Sequence, residues 1–301
     1  MAHPGRDHLP GSRRIVNRLL PIQSPFPIRV ALLLSLLFWG ICFLLPLALM
    51  FLVSLISRGP YGGLEWTWTG ENYVRLADPL VIGIFLKSFL YASGTTIVCA
   101  LLGFPLAYCI ARSSRAWQQW LLVLVMIPFW TNFLVRTYAW VLIFRADGVI
   151  NGFVKFLGWT GDPIPLLFTD FSVFVGLVYG YLPFMVLPLV AALERISIHL
   201  EEAARDLCAT RFRMFWHVVI PLSKPGWVAG AVLVFIPSLG AFITPYLLGG
   251  GQSLMIGTLI QQEFLVARDW PFGAALSFGL MGTILVLWGW LGRKSTEQAA
   301  G

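Results

Sequence analysis

The chain has 301 residues, of which 58% are hydrophobic and only 12% are charged, and its formal net charge is +7. Soluble globular domains carry about 25% charged residues, so this composition excludes an ordinary water-soluble domain and predicts a protein solvated mainly by membrane lipid. The basic excess could indicate a nucleic acid partner, but we expect none, because the distribution of Lys and Arg along the chain explains the charge.

Six apolar runs are long enough to cross a bilayer core of about 30 Å, which takes roughly 20 helical residues. They lie at residues 30–56, 81–110, 119–144, 171–193, 227–247 and 272–291. Unpaired backbone amides are intolerable in lipid, so runs of this length are predicted to be helices rather than the shorter strands of a barrel. The predicted fold is therefore an all-α integral membrane bundle of six transmembrane helices. The first run is too long for the apolar region of a signal peptide, so we interpret it as a retained span.

Basic residues predict how the bundle is oriented. If the N-terminus is cytoplasmic, 14 Lys and Arg residues fall on the inner side and five on the outer side. The positive-inside rule then places both termini in the cytoplasm. Residues 1–28 hold five prolines among basic residues and are predicted to form a mobile tail. Residues 29–293 are predicted to form the transmembrane domain, followed by a cytoplasmic tail at 294–301.

Signatures of catalytic and metal chemistry are missing from the sequence. It contains no HExxH or GxSxG motif and no Gly-rich phosphate loop. The four cysteines, at positions 42, 99, 109 and 208, form no CxxC pair and are interpreted as small apolar residues. We therefore expect no metal site, no cofactor bound by this chain and no enzymatic activity. Energy for any work it does would have to come from a partner.

One polar insertion, residues 194–224, separates the fourth and fifth predicted spans. Ser197 is expected to cap a short helix, with Glu201 and Glu202 in its first turn, where acidic groups suit the helix dipole. Small alanines follow and leave a surface that another protein can approach closely. The residues also leave open an amphipathic helix on the membrane surface, since the basic and aromatic side chains of 211–216 suit an interface.

The insertion carries a spaced motif, in which Glu202-Ala203-Ala204 is followed by Cys208 and then by Val218-Val219-Ile220-Pro221. This resembles the EAA motif of permease subunits of bacterial ATP-binding-cassette importers, which reads EAA, three residues, Gly, nine residues, then I-x-L-P. Cys208 stands where the family has Gly. A glycine there lets the chain turn between two short helices at low steric cost, so the sequence leaves the geometry of this turn open.

The resemblance covers nearly all of residues 30–293, and runs at 128–140, 236–240, 248–250 and 267–273 are similar to spermidine/putrescine-type permeases. It implies a type I importer permease whose insertion is the coupling helix for a cytoplasmic ATPase dimer, which uses ATP and Mg. It also implies a second homologous permease subunit, a periplasmic substrate-binding protein and a small organic substrate. The residues implied in ATPase coupling are Glu201, Glu202, Ala203, Ala204, Arg205, Asp206 and Cys208.

Candidate pathway residues lie on three spans. Asn132, Arg136 and Trp140 recur every four residues on the third span and are predicted to share a helix face. A charge within a span usually faces protein or water, so Arg136 is expected either to line the path or to snorkel to the outer interface. Pro237 is expected to bend or break the fifth span near the midplane, at a substrate site or as a structural kink. The predicted path residues are Asn132, Arg136, Trp140, Tyr179, Pro237, Ser238 and Gly240.

Residues 254–266 are amphipathic and too short to cross, so they are expected to re-enter the membrane or lie on its outer surface. Glu263 and Asp269 are predicted near the periplasmic mouth, either attracting a cation or taking a solvated or salt-bridged role. A polyamine would be stabilised by carboxylates and aromatic faces, yet no predicted span has an interior Asp or Glu. The resemblance therefore favours a polyamine, while an opine, an aminophosphonate or another zwitterionic or anionic solute stays open. An ion-coupled transporter or a channel is a remote alternative.

Overall fold

The structure is a computed structural model that describes residues 25–60, 62–207 and 209–300. The chain divides into two compact units, residues 1–52 and 53–301. The first unit contains most of helix α1 (Pro25–Ser54), which begins within the predicted N-terminal tail. In the second unit, the helices are α2 (Glu71–Arg75), α3 (Pro79–Ala111), α4 (Arg115–Trp130), α5 (Phe133–Phe144), α6 (Val149–Phe156), α7 (Asp170–Glu194), α8 (Ile198–Asp206), α9 (Arg211–Met214), α10 (Ile220–Leu222), α11 (Lys224–Leu239), α12 (Ile243–Gly249), α13 (Ile256–Gln262) and α14 (Trp270–Ala300). Two π-helical turns, Phe215–Val219 and Glu263–Ala267, interrupt this series.

The membrane spans are of two kinds. Four helices are long and apolar enough to cross a membrane as single elements: Val30–Ser54, Pro79–Ala111, Asp170–Glu194 and Trp270–Leu287. Two further spans are bent pairs: Arg115–Trp130 with Phe133–Phe156 at 86°, and Arg211–Leu222 with Lys224–Leu239 at 63°. The all-α membrane fold with up to six spans is confirmed, but the third and fifth spans are not straight.

The third span breaks between α4 and α5. Thr131 takes an extended conformation, with φ −73° and ψ 152°, and ends α4. Asn132 then caps α5, because its side-chain oxygen accepts the amide proton of Leu134 at 2.8 Å. The third span is therefore two helices and not the single helix predicted over residues 119–144. Asn132 is a helix cap that precedes the face carrying the other two residues.

Helix α11 lies against α7 along small residues. A Cβ added to Gly226 would lie 2.6 Å from Cβ of Ala192 and 2.8 Å from the carbonyl oxygen of Pro188. A Cβ on Gly230 would lie 2.5 Å from Sδ of Met185. Small residues four apart let two helix backbones approach closely in a membrane, where lipid offers no hydrophobic driving force for helix association. These two glycines hold α11 against the centre of the bundle.

The fifth span ends earlier than predicted. Helix α11 stops at Leu239, with Pro237 in its last turn, and Gly240 leads into the short helix α12. The predicted amphipathic segment 254–266 follows as α13 and a π-helical turn. Gly257 packs on the end of α11, since a Cβ there would lie 2.6 Å from the carbonyl oxygen of Ala241. The segment is therefore partly buried against the broken span.

A short hairpin that the sequence analysis did not predict follows α1. Strands β1 (Ile56–Arg58) and β2 (Leu64–Trp68) pair antiparallel, with Ser57 opposite Glu65. Buried Asn72 in α2 holds the start of this hairpin by donating to the carbonyls of Ser54 at 3.0 Å and Ile56 at 2.9 Å. At the other end of the chain α14 continues to Ala300, beyond the predicted end of the transmembrane domain.

Candidate translocation path and coupling site

Arg136 joins the two halves of the broken third span. Its Nη1 donates to the carbonyl of Pro128 at 2.9 Å, and the Thr131 hydroxyl donates to the same oxygen at 2.7 Å. The end of a helix leaves carbonyls without intrahelical donors, and Pro128 is close to the end of α4. The guanidinium also lies over the rings of Phe133 and Tyr179, at 5.3 and 5.7 Å. Arg136 therefore binds protein groups at the break, and whether it lines the path stays a prediction.

An aromatic group surrounds this arginine. Trp140, one turn further along α5, stacks on Phe144 with ring centroids 5.1 Å apart and meets Tyr179 of α7 edge-on at 5.4 Å. Three of the predicted path residues, Arg136, Trp140 and Tyr179, are thus brought together by α5 and α7.

The break at the end of α11 is linked to α7 as well. The Tyr181 hydroxyl donates to the carbonyl of Pro237 at 3.1 Å. Ser238 is buried and its hydroxyl donates back to the carbonyl of Phe235 at 2.9 Å, so it is directed into its own helix. Gly240 ends the helix, and a Cβ there would meet nothing within 4 Å.

Pro128, Arg136, Tyr179, Tyr181 and Pro237 together form what we call the break cluster. Sequence reasoning missed Tyr181 and Pro128. Tyr181 could have been predicted from the sequence, because it lies two residues after the predicted path residue Tyr179 on a span that contains Gly and Pro. Pro128 could also have been predicted, because proline within an apolar run often marks a helix end.

A second polar group, which we call the Asp269 cluster, contains Arg58, Arg75, Glu263 and Asp269. Asp269 is fully buried and lies 2.9 Å from Nη1 of Arg75 and 3.8 Å from Nη1 of Arg58. Its other oxygen accepts the amide proton of Phe272 at 3.1 Å. Of the two roles that the sequence left open for Asp269, the structure has the salt-bridged one.

Glu263 has a different environment from Asp269. Burial and the nearby Asp269 carboxylate raise the pKa of Glu263, and Arg75 and Arg58 offset part of that rise. The protonated carboxyl is therefore favoured in the folded protein to a greater extent than in an exposed glutamate. Glu263 is half-buried and is not a freely exposed anion at a channel mouth.

The coupling loop, residues 194–224, begins with the predicted capped helix. The amide of His199 donates to the Ser197 hydroxyl at 3.3 Å, which caps α8. Glu201 and Glu202 are the fourth and fifth residues of that helix, one turn later than predicted. Glu202 lies 3.0 Å from Nδ1 of His199. The side chains of Glu201 and Arg205 and all of Cys208 lie outside the described residues, so the turn at Cys208 stays a prediction.

The loop has a buried base and an exposed outer surface. Met214 and Val219 are buried in the core between α3 and α7, and Phe215 meets the rings of Phe104 and Tyr108 edge-on at 5.3 and 5.7 Å. Ala204 is partly buried on the same core. The exposed surface is formed by Ile198, Leu200, Glu202, Ala203, Asp206, Leu207, Phe212 and Trp216. The base fixes the loop to the bundle while its outer surface is available to another protein.

Residues 99–291 match the family described as Binding-protein-dependent transport system inner membrane component. The chain belongs to this family. It is 40% identical over 254 residues to the spermidine/putrescine transport system permease protein PotB of Haemophilus influenzae, covering 84% of this chain and 88% of that protein. PotB of Escherichia coli K12 is 39% identical over 83% of this chain and 92% of its own length. The inner membrane ABC transporter permease protein YdcU of Escherichia coli K12 is 33% identical over 78% and 80%.

Two solved structures share the fold of this permease. A bacterial ABC transporter involved in import of the acidic polysaccharide alginate has a chain that matches with a TM-score of 0.69 at 16% identity, over 95% of this chain and 98% of that one. The alginate transporter in complex with its pentasaccharide-bound periplasmic protein gives a TM-score of 0.66 at 17% identity, over 87% and 91%. The chain is thus a permease subunit of an ABC importer, located in the inner membrane, and the predicted family and fold class are confirmed.

Proposed function

We propose that this permease forms half of the pathway of a polyamine importer, with spermidine or putrescine as substrate. The observation that carries the proposal is the 40% identity to a permease named for spermidine and putrescine, which extends over 84% of this chain. The matched family region, residues 99–291, contains the broken third and fifth spans together with the coupling loop.

The break cluster supports a cationic substrate in spite of Arg136. Tyr181 of the cluster and Trp140 beside it supply aromatic faces, which attract ammonium groups. The guanidinium of Arg136 donates to the Pro128 carbonyl and lies on the Tyr179 ring, so it is held at the break by its own partners. The positive charge of Arg136 is thus fixed at the break. A substrate ammonium group can bind at aromatic rings that lie further from the guanidinium.

A zwitterionic or anionic solute such as an opine or aminophosphonate is the second candidate. It is favoured by the lack of Asp and Glu within the six predicted apolar runs. Asp170, at the start of α7, is 2.9 Å from Nζ of Lys87, so this carboxylate is already paired. A polyamine pathway would therefore take its carboxylates from the second permease subunit.

The remaining parts of the importer follow from the same proposal. A second, homologous permease completes the path, a periplasmic binding protein delivers the solute, and both termini are cytoplasmic. Two ATPase subunits dock on the exposed surface of the coupling loop and use ATP and Mg, while this chain binds no cofactor and catalyses no reaction.

The coupling loop offers a mechanical route into the bundle. Phe215 packs on Phe104 of α3, and Val219 is buried just before the 63° bend that begins α11. Ser223 fixes that bend, since its buried hydroxyl donates to the carbonyl of Ile220 at 2.9 Å and accepts from Nε1 of Trp227 at 3.1 Å. Displacement of the loop by the ATPases would move α11, whose far end is tied to α7 by Tyr181 and Pro237.

Transport by the reconstituted importer tests the proposal. The permease is assembled with its partner permease, ATPase and binding protein in proteoliposomes, and uptake of labelled spermidine and putrescine is measured with and without ATP. We expect ATP-dependent uptake that excess polyamine suppresses and an opine or aminophosphonate does not. Uptake of an opine or aminophosphonate with no polyamine uptake would establish the second candidate, and uptake without ATPase or binding protein would contradict the importer assignment.

A further inference from the structure

We infer that helix α6 is an interfacial helix whose apolar face lies on lipid, at the boundary between headgroups and acyl chains of the outer leaflet. Helix α6 follows α5 in the second limb of the bent third span, Phe133–Phe156, and has four large apolar side chains turned away from the protein. Val149 is 70% exposed, Phe153 61%, Phe156 85% and Leu157 69%. The inference rests on the proposed orientation for its assignment to the outer leaflet.

The helix has three distinct sides. At 3.6 residues per turn, the four exposed apolar residues fall on one arc of about 100°. The next arc faces the protein and contains buried Asn151 with partly buried Ile150 and Val154. The remaining arc carries exposed Gly152 and Lys155. A helix that lies in a membrane interface has this arrangement, with one side toward lipid, one side toward protein and a charged side toward water.

Helix α5, which precedes α6, also has exposed apolar side chains. Gly148 caps α6 and lies against the end of α5, since a Cβ there would be 2.5 Å from the carbonyl oxygen of Leu142. Leu142 is exposed on α5, as are Val135 and Tyr138. Asn151 holds the helix in this position by donating to the carbonyls of Arg145 and Ile164, both at 3.1 Å. Both α5 and α6 thus have exposed apolar side chains, one helix on each side of the turn at residues 145–148.

The chemistry of the segment favours lipid over a protein partner. Within residues 149–159, Lys155 is the one charged residue, and it lies on the side of the helix opposite the apolar arc. Trp159 follows at 55% exposure, with its indole Nε1 donating to the carbonyl of Asp162 at 3.3 Å. Exposed Trp with Lys able to extend toward water is typical of the membrane interface, whereas a docking surface for a periplasmic protein has a polar rim.

Site-specific fluorescence quenching tests the inference on the full-length chain in lipid nanodiscs. The four cysteines are first replaced by Ala, and a bimane label is attached to Phe153→Cys, Leu157→Cys or, as the matched control on the same helix, Lys155→Cys. Lipids brominated on the upper part of the acyl chain then report contact with the interface, and iodide reports contact with water. Circular dichroism and gel filtration identify variants that do not fold, and the two labelled apolar positions check one another.

We expect brominated lipid to quench more than half of the emission at positions 153 and 157 and little at 155, with iodide giving the opposite order. Equal iodide quenching at all three positions would overturn the inference, because the helix would lie in water. Loss of lipid quenching at 153 and 157 when the partner permease is added, or when the binding protein docks, would also overturn it, since a protein would then cover this face. Lipid contact is measured without transport, so a failure of the polyamine assay leaves this result unaffected.

Discussion

Tyr181 of α7 donates its hydroxyl proton to the carbonyl of Pro237, 3.1 Å away, at the point where α11 ends. The bond joins the fourth and fifth spans at the break of the latter, and the carbonyl lies in the last helical turn, where intrahelical donors run out. At the end of α11, backbone amides bond to the carbonyls of Ile236 and Ser238, and a side chain from α7 supplies the donor for Pro237.

Replacing Tyr181 with Phe removes this donor and leaves the ring in place. A typical hydrogen bond contributes about 0.5–1.5 kcal/mol, so Y181F should lower the thermal unfolding midpoint of the permease in detergent and slow transport in the assembled importer. Tyr246→Phe, at an exposed tyrosine on α12, is the matched control and should change neither. Unchanged stability and transport in Y181F would mean that the Pro237 carbonyl needs no donor.

The carbonyl of Pro128 has two donors, and a double-mutant cycle separates them. Thr131→Val removes one and Arg136→Met the other, and each single variant leaves the oxygen one partner. The double variant leaves it none, so its loss of stability should exceed the sum of the single losses by about 0.5–3 kcal/mol. Additive losses, measured by thermal unfolding, would show that the two side chains do not act on the same carbonyl.

These two contacts also show where sequence reasoning reaches its limit. The positions of the spans follow from the length of the apolar runs, and the capped helix of the coupling loop follows from Ser197. The break at Asn132 had a local signal, an N-cap residue before an apolar stretch, but the length of the surrounding apolar run predicted one helix. Tyr181 and Pro237 are 56 residues apart, and no local pattern pairs them.

The Asp269 cluster illustrates the same point. Asp269 was recognised as a charged residue near the outer surface, but its partners Arg58 and Arg75 lie about 200 residues earlier in the chain. Only the packing of the hairpin and α2 on the start of α14 brings them together. Sequence could therefore state the two possible roles of Asp269, and tertiary structure was needed to distinguish them.

Close packing of α11 on α7 predicts unequal effects of two glycine substitutions. Gly226→Ala would place a methyl against the Ala192 Cβ and the Pro188 carbonyl, which are rigid, whereas Gly230→Ala meets the flexible end of Met185. Overpacking costs about 1–3 kcal/mol, so G226A should destabilise the permease more than G230A. Gly83→Ala on α3, where nothing lies within 4 Å, is the control and should be neutral or stabilising. Equal thermal midpoints for G226A and G83A would contradict the packing.

Glu263 predicts a pH dependence of stability. Its pKa is raised by burial and by Asp269, so the folded protein binds this proton more tightly than the unfolded chain. The contribution to stability is fully present below the ordinary glutamate pKa of about 4.3 and is lost as pH rises through the raised value. Glu263→Gln cannot ionise, so it should be more stable than the parent at neutral pH, and the difference should vanish in acid. Thermal unfolding of both proteins is measured across this pH range. A stability difference in favour of E263Q that increases toward low pH would contradict the raised pKa of Glu263.

Glu202 is the residue through which the proposed ATPase contact can be tested. Glu202 is exposed on α8, and Glu202→Lys reverses the charge at this position without disturbing the buried base of the coupling loop. We expect association with the ATPase to weaken at least about tenfold, equivalent to about 1.4 kcal/mol, and substrate-stimulated ATP hydrolysis to be lost.

Glu65→Lys makes the same charge change on the exposed hairpin strand β2 and should leave coupling intact. His199→Gln removes the partner of Glu202 but keeps its carboxylate, so normal coupling in H199Q would assign the E202K defect to the interface itself. Normal ATPase binding and hydrolysis in E202K would place the docking contact elsewhere.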